Sequence, residues 1–235
     1  MANNKDTIPD EPQFYGRRKG HPIRPHRQQL MNDLLPTLLV PPEQSNSINA
    51  TALFEDTSEV WLEIGFGAGE HLSAQAESYP HIGFIGCEPY INGVAALLSV
   101  IEKKSLTNIR IYNDDARKLL ERLAPASINK VFVLFSDPWP KKRHNRRRFI
   151  NSKNLDALSR IMIDQAEFRF ATDDISFVRW GLDAFYKHPD FKWLAQGPED
   201  WRARYSDALP TRYEAKALKQ GKKCVYLTYQ RAVRN

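Results

Sequence analysis

Val60-Trp61-Leu62-Glu63-Ile64-Gly65-Phe66-Gly67-Ala68-Gly69-Glu70 is the stretch from which the fold can be read. Its first five residues predict a buried strand, because the run is short, largely apolar and bounded by a breaker. Three alternating glycines then let the chain turn tightly and bring its backbone close to a ligand. From Glu70 to about Tyr79 the composition predicts a helix. Strand, glycine turn and helix in that order open a βαβ layer, and open α/β sheets take their ligands at the carboxyl ends of their strands.

Downstream the same alternation continues. Strands are predicted over His81–Glu88, Asn108–Tyr112, Asn129–Phe135 and Glu167–Ala171, and helices over 91–105, about 116–123, 152–164 and 175–187. Two late strands, 191–195 and 223–230, have no clear helix between them and predict a hairpin-like antiparallel addition. Upstream, a helix is expected from Gln28 to Leu39, ended by Pro41-Pro42, and 41–57 reads as a loop. Residues 1–20 are polar, contain proline and lack apolar periodicity, which predicts mobility. The expectation is a basic amino-terminal arm over 1–27 and one α/β domain over 28–235, a mainly parallel sheet with helices on both faces.

A glycine turn alone does not choose a ligand. The dinucleotide fingerprint asks for glycine at position 70, where this chain has Glu70, whose charge opposes a pyrophosphate at a helix N-terminus. A sulfonium ligand carries positive charge and no phosphate, so the Glu63–Glu70 neighbourhood suits S-adenosylmethionine better than a nicotinamide dinucleotide. Glu88 follows Gly69 by 19 residues, near the spacing of about twenty at which such folds place an acid on ribose hydroxyls. Asp114-Asp115-Ala116 follows the third strand, where a carboxylate could accept from an adenine amino group or simply cap a helix. The fourth strand runs into Ser136-Asp137-Pro138-Trp139-Pro140-Lys141-Lys142: two prolines stiffen the loop, Trp139 offers a stacking face, and Asp137 lies at the sheet's carboxyl edge. Ala171-Thr172-Asp173-Asp174 ends the fifth strand on the same edge, and Pro210-Thr211-Arg212-Tyr213-Glu214 reads as a surface loop.

Charge adds a class of partner. The chain carries a formal +6, and basic residues gather at 17–27 and in Lys141-Lys142-Arg143-His144-Asn145-Arg146-Arg147-Arg148, beside the candidate catalytic loop. Such blocks suit a nucleic-acid backbone. The six histidines have no ligand-like spacing, so no metal is expected; Cys87 and Cys224 sit in apolar runs and read as buried, reduced thiols. No run reaches membrane-spanning length and no signal-peptide core is visible, so a cytoplasmic protein is expected.

Taken together these motifs resemble the bacterial tRNA (guanine-N7-)-methyltransferase family. The likeness is carried by EIGFGAGE at 63–70, GCEPY at 86–90, DDAR at 114–117, SDPWPKKRHNRRR at 136–148, ATD at 171–173 and TRYE at 211–214. It departs at Ser136, where proline is commoner, and at Asp174 after the TD pair. The resemblance implies a Rossmann-like class I methyltransferase fold, a mostly parallel seven-stranded sheet with an antiparallel C-terminal strand. It implies methylation of guanine 46 in the tRNA variable loop, with S-adenosylmethionine as cofactor and S-adenosylhomocysteine as product. Carried over by position, Glu63, Gly65, Gly67, Gly69, Glu88, Asp115 and Asp137 become cofactor positions, and Asp137 the catalytic one. Lys141, Asp173, Thr211, Arg212, Tyr213 and Glu214 become substrate positions, and Lys142, Arg143, Arg146, Arg147 and Arg148 contacts to the RNA backbone. Monomer and homodimer both fit. A methyltransferase for another RNA base, or a non-catalytic RNA-binding protein on the same fold, is the alternative.

Overall fold

Parallel strands covered on both faces must be apolar on both sides, and the strand from Glu59 to Ile64 (β1) is buried at every residue after its first. A computed structural model of the chain describes residues 14–41 and 47–234; the stretch 1–13, read above as the start of a mobile arm, lies outside the described residues, as does 42–46. The elements run α1 (Pro25–Asp33), α2 (Leu35–Leu38), β1, α3 (Glu70–Ser78), β2 (Ile82–Cys87), α4 (Ile91–Lys104), β3 (Ile109–Tyr112), α5 (Ala116–Arg122), β4 (Ile128–Leu134), α6 (Ser152–Ile161), β5 (Met162–Thr172), α7 (Ile175–Tyr186), β6 (Phe191–Trp193), α8 (Glu199–Arg202), α9 (Arg212–Lys219) and β7 (Val225–Arg231). Short 3-10 turns cover Ala50–Leu53 and Lys142–Arg147.

The seven strands form one sheet in the order β3-β2-β1-β4-β5-β7-β6. β1 pairs in parallel with β2 and β4, β2 with β3, and β4 with β5, while β7 runs antiparallel to both β5 and β6. Chain progress reverses between β1 and β4, and the crevice at such a switch point is where open sheets hold ligands. Successive side chains of β1 feed two apolar layers: Val60, Leu62 and Ile64 meet Leu119, Leu155, Leu158 and Phe177 on one face, and Trp61 meets Leu72, Val94 and Leu97 on the other. No helix among the described residues is long and apolar enough to cross a membrane.

Four sequence expectations are corrected. The helix expected over Gln28–Leu39 is two helices, each with a proline in its first turn, where the missing N–H costs nothing. The loop expected over 41–57 contains the 3-10 turn at Ala50–Leu53, capped by the Asn49 side chain. The helix placed at 152–164 stops at Ile161, and β5 starts at Met162 with an irregular register, Gln165 standing at φ +66°. Between β6 and β7 lie α8 and α9 rather than a hairpin turn, although the two strands do pair antiparallel. The TRYE string is the start of α9, with Thr211 accepting from the Glu214 N–H as its cap.

Candidate active site

After Ile64 the chain must leave β1 and enter α3 within five residues. It does so with Gly67 at φ +60° and Gly69, the residue capping α3, at φ +78°, a region costly for any residue with a Cβ. The turn rests on α4: a Cβ on Gly93 would lie 2.1 Å from the Gly67 carbonyl oxygen. The Gly67 N–H donates to Glu88 Oε2 at 2.8 Å, and the Tyr90 N–H donates to Oε1 at 2.9 Å. Glu88 is thereby fixed by two backbone donors, one from the turn after β1 and one from its own loop after β2.

Above this turn opens a cavity of about 410 Å³, within the usual size of small-molecule sites. Gly65, Gly67, Glu88, Asp115, Asp137 and Tyr213 line it, so five of the residues marked as cofactor positions, Gly65, Gly67, Glu88, Asp115 and Asp137, do meet around one space. Glu88 and Asp115 are both buried. Burial pushes the Glu88 carboxyl up to about 7 despite its two N–H donors, and the charges of Asp137 and Glu63 push the same way. Burial also raises Asp137, whose carboxylate accepts no hydrogen bond among the described residues. Asp115 serves as the cap of α5, accepting from the Arg117 N–H at 3.0 Å and from Arg117 Nε at 2.9 Å. Helix cap and cavity wall are thus one residue. The same lining carries Arg17, Arg117, Arg147 and Arg148, so the three carboxylates supply local negative charge within a wall of mixed sign.

Asp137 stands in a loop whose flanks, Phe135 and Trp139, have φ of +51° and +45°. Trp139 meets Tyr15 edge to face, ring centroids 6.4 Å apart, and the Arg147 guanidinium lies 4.5 Å from the Tyr15 ring and 5.0 Å from Trp139. Phe14 to Arg17 therefore form one wall of the cavity. Arg18 Nη2 pairs with Asp114 at 2.8 Å, and its carbonyl accepts from the Ile91 N–H at 3.0 Å. Sequence reasoning missed this wall. The one available signal was the aromatic pair Phe14-Tyr15 set against the basic run Arg17-Arg18-Lys19.

Arg147 and Arg148 line the cavity as well, and the remaining marked residues lie outside its lining. Glu63 is buried beneath the turn with its Oε2 2.7 Å from His71 Nδ1. Asp173 is paired with Lys222 at 2.5 Å, Arg212 with Glu70, and Lys141 is exposed at the loop's outer side. Two more marked residues are engaged by internal partners. Glu214, a marked substrate position, is 2% exposed, and its Oε1 accepts from Arg204 Nε at 2.7 Å and from the Tyr226 hydroxyl at 2.5 Å, so it fastens α9 to β7. Arg148, marked for RNA backbone, is also 2% exposed, with its guanidinium bonded to the Pro138 carbonyl and to Ser176. Lys142, Arg143 and Arg146 remain exposed on the 3-10 turn, with Arg147 half-buried.

Residues 57–227 match the family model described as "Putative methyltransferase". The chain is 45% identical to a tRNA (guanine-N(7)-)-methyltransferase of Rhodospirillum rubrum, over 97% of this chain and 92% of that protein. It is 46% identical to the protein of the same name from Ruegeria sp. (strain TM1040), over 93% and 87% of the two chains. Among solved structures, a 16S rRNA (adenine(1408)-N(1))-methyltransferase from Catenulisporales acidiphilia, determined with its cosubstrate, superposes with a TM-score of 0.51 at 13% identity, covering 77% of this chain and 88% of that one. At that identity the likeness speaks for the fold.

Proposed function

Since the chain belongs to the tRNA (guanine-N(7)-)-methyltransferase family, we propose that it transfers a methyl group from S-adenosylmethionine to N7 of guanine 46 in the variable loop of tRNA. The observation that carries this assignment to particular atoms is the convergence of Glu88, Asp115 and Asp137 on one cavity beside the glycine turn. Those residues fit the cofactor: the cavity has the volume for it, and the buried Glu88 and Asp115 with the exposed Asp137 offer hydrogen-bond acceptors and negative charge to a cationic guest. When bound, S-adenosylmethionine supplies an electrophilic methyl group on a positively charged sulfur.

The chain's own work is then holding and charge placement. Glu88, locked by the Gly67 and Tyr90 N–H groups, accepts the ribose hydroxyls, and Asp115 accepts the adenine amino group. Guanine N7 presents an in-plane lone pair with no proton to lose, so no general base is required. Alignment of that lone pair behind the methyl group supplies much of the acceleration, up to about 7–11 kcal/mol in favourable cases. As the purine becomes cationic, the unpartnered carboxylate of Asp137 stabilises it more than it stabilised the neutral base. Asp173 joins it on the N1–H and amino edge once released from Lys222, and Tyr213, whose ring lies over Gly67, walls the methyl end. Lys142, Arg143 and Arg146 hold the RNA backbone without reading bases.

The test is product identity. After reaction with methyl-labelled S-adenosylmethionine and bulk tRNA, nucleoside digestion places the label in 7-methylguanosine. Label in a methyladenosine, or none despite saturable cofactor binding, overturns the assignment.

A further inference from the structure

Asp137 occupies a strained loop. Left-handed backbone at two non-glycine residues, Phe135 and Trp139, costs about 1–3 kcal/mol each and persists only where the surroundings over-determine it. On one side that support is the sheet, through the Phe135 N–H donating to the Ala171 carbonyl at 2.7 Å. From within, the Asn145 amide reaches the Trp139 carbonyl at 3.1 Å, and one buried side chain reaches across to another element. Arg148 Nε donates to the carbonyl of Pro138, the residue after Asp137, at 2.7 Å. Its Nη2 donates to Ser176 Oγ at 2.8 Å and its Nη1 to the Ser176 carbonyl at 3.3 Å. Ser176 Oγ donates in turn to Asp174 Oδ1 at 2.5 Å, the same oxygen that caps α7 by accepting from the Phe177 N–H at 2.8 Å. The guanidinium plane is packed over Phe177 and Trp180, 5.2 and 5.4 Å from their centroids.

A buried guanidinium is expensive to keep, and among the described residues no carboxylate contacts this one directly. What the arrangement gains is geometry. A planar fork with fixed donor directions joins two loops beyond the point where β4 and β5 stop pairing, one carrying Asp137 and the other leading from Asp173 into α7. A lysine has neither the fork nor the stacking plane.

We infer that Arg148 is a positioning residue for methyl transfer, its guanidinium tying the Asp137 loop to the start of α7 and so holding Asp137 against the cavity. This rests on Asp137 acting at the methyl-transfer step, and it adds a residue whose role is neither cofactor nor RNA contact.

The experiment compares the full chain with Arg148→Lys, Arg148→Gln and Ser176→Ala, the last removing one arm of the tie while leaving the arginine in place. Amide hydrogen exchange is followed over 135–141 and 173–178, together with kcat and KM for tRNA and the affinity for S-adenosylhomocysteine. In both Arg148 variants the two segments exchange about tenfold faster or more while the β1–β3 amides keep their protection. Turnover falls about 100-fold, with KM and cofactor affinity changed far less, and lysine does not rescue it. Ser176→Ala gives a smaller change of the same pattern. Unchanged exchange in the two segments, full turnover in Arg148→Lys, or uniform acceleration of exchange across the sheet overturns the inference, the last by making Arg148 a support of the whole fold. Should both Arg148 variants fail to fold, the Ser176→Ala exchange pattern decides. Should the unmodified chain bind cofactor yet leave tRNA unmethylated, the functional assignment falls, and the exchange data still decide whether Arg148 ties the loops.

Discussion

Glu88 is asked to be a charged acceptor in a place that opposes charge. Burial outweighs its two backbone donors and lifts it from an ordinary 4.5 to about 7. The folded chain therefore binds a proton more readily than the unfolded chain between those values. The neutral carboxyl's contribution to stability is complete below pH 4.5 and is lost as pH rises through about 7, a difference of about 3 kcal/mol. Glu88→Gln carries no such titration. Urea denaturation at pH 4.5 and 8 should show the stability difference between variant and unmodified chain shifting toward the variant by about 3 kcal/mol at the higher pH; a constant difference contradicts the placement of this charge. Affinity for S-adenosylhomocysteine should move oppositely in the unmodified chain, weakening below pH 7 as the acceptor is protonated. Asp137→Asn keeps the shape of its neighbour's site and removes the charge facing the purine. It should lower turnover by about 100- to 1,000-fold, with much less effect on cofactor affinity in a calorimetric titration; equal losses would make Asp137 a cofactor ligand only. Glu88, Asp115 and Asp137 were legible in the sequence because each follows a strand, and strand ends share one edge of a parallel sheet. The partners that engage Glu214 and Arg148 were not legible. Arg204, Tyr226 and Ser176 acquire those roles only through contacts between distant segments.

At the level of elements, the glycine turn and α4 act as one piece. Gly93 is a helix-interior glycine, a position that propensity disfavours, and its place is explained by the Gly67 carbonyl lying where a methyl group would go. Gly93→Ala must push the turn off α4, which carries the Gly67 N–H away from Glu88. Thermal denaturation should show a loss of about 1–3 kcal/mol, and cofactor affinity should fall more than about tenfold. Native affinity in a folded Gly93→Ala chain would separate the turn from the cofactor site. The alternation of strands and helices from β1 to α7 could be read from apolar runs and breakers alone. α9 could not: its eight residues, RYEAKALK, are mostly polar, and the helix is held by the Thr211 cap and the buried Glu214 tie rather than by an apolar stripe visible in sequence. The α6–β5 boundary was missed for a related reason, since Ile161 and Met162 are both apolar and no breaker separates helix from strand.

Across the whole molecule, a formal charge of +6 sits on a chain whose cavity sets Glu88, Asp115 and Asp137 beside Arg17, Arg117, Arg147 and Arg148. Under the proposed function the two charges would divide the work: carboxylates would hold a cationic cofactor and a purine becoming cationic, while Lys142, Arg143 and Arg146, which are exposed, would meet the polyanion outside. Replacing any one of those three with alanine should weaken tRNA binding for all tRNAs alike and lower the slope of log affinity against log salt by about 1, as measured by filter binding across a salt series. A slope unaltered by all three would move the RNA to another face. The amino-terminal segment Phe14–Arg17 belongs to this scale too, since it walls the cavity from a part of the chain far removed in sequence. The central claim, that this cavity delivers a methyl group to one guanine of tRNA, is tested most directly by offering methyl-labelled S-adenosylmethionine and two transcripts differing only at position 46, guanine in one and adenine in the other. The account predicts label on the guanine transcript alone, and equal label on both transcripts would contradict it.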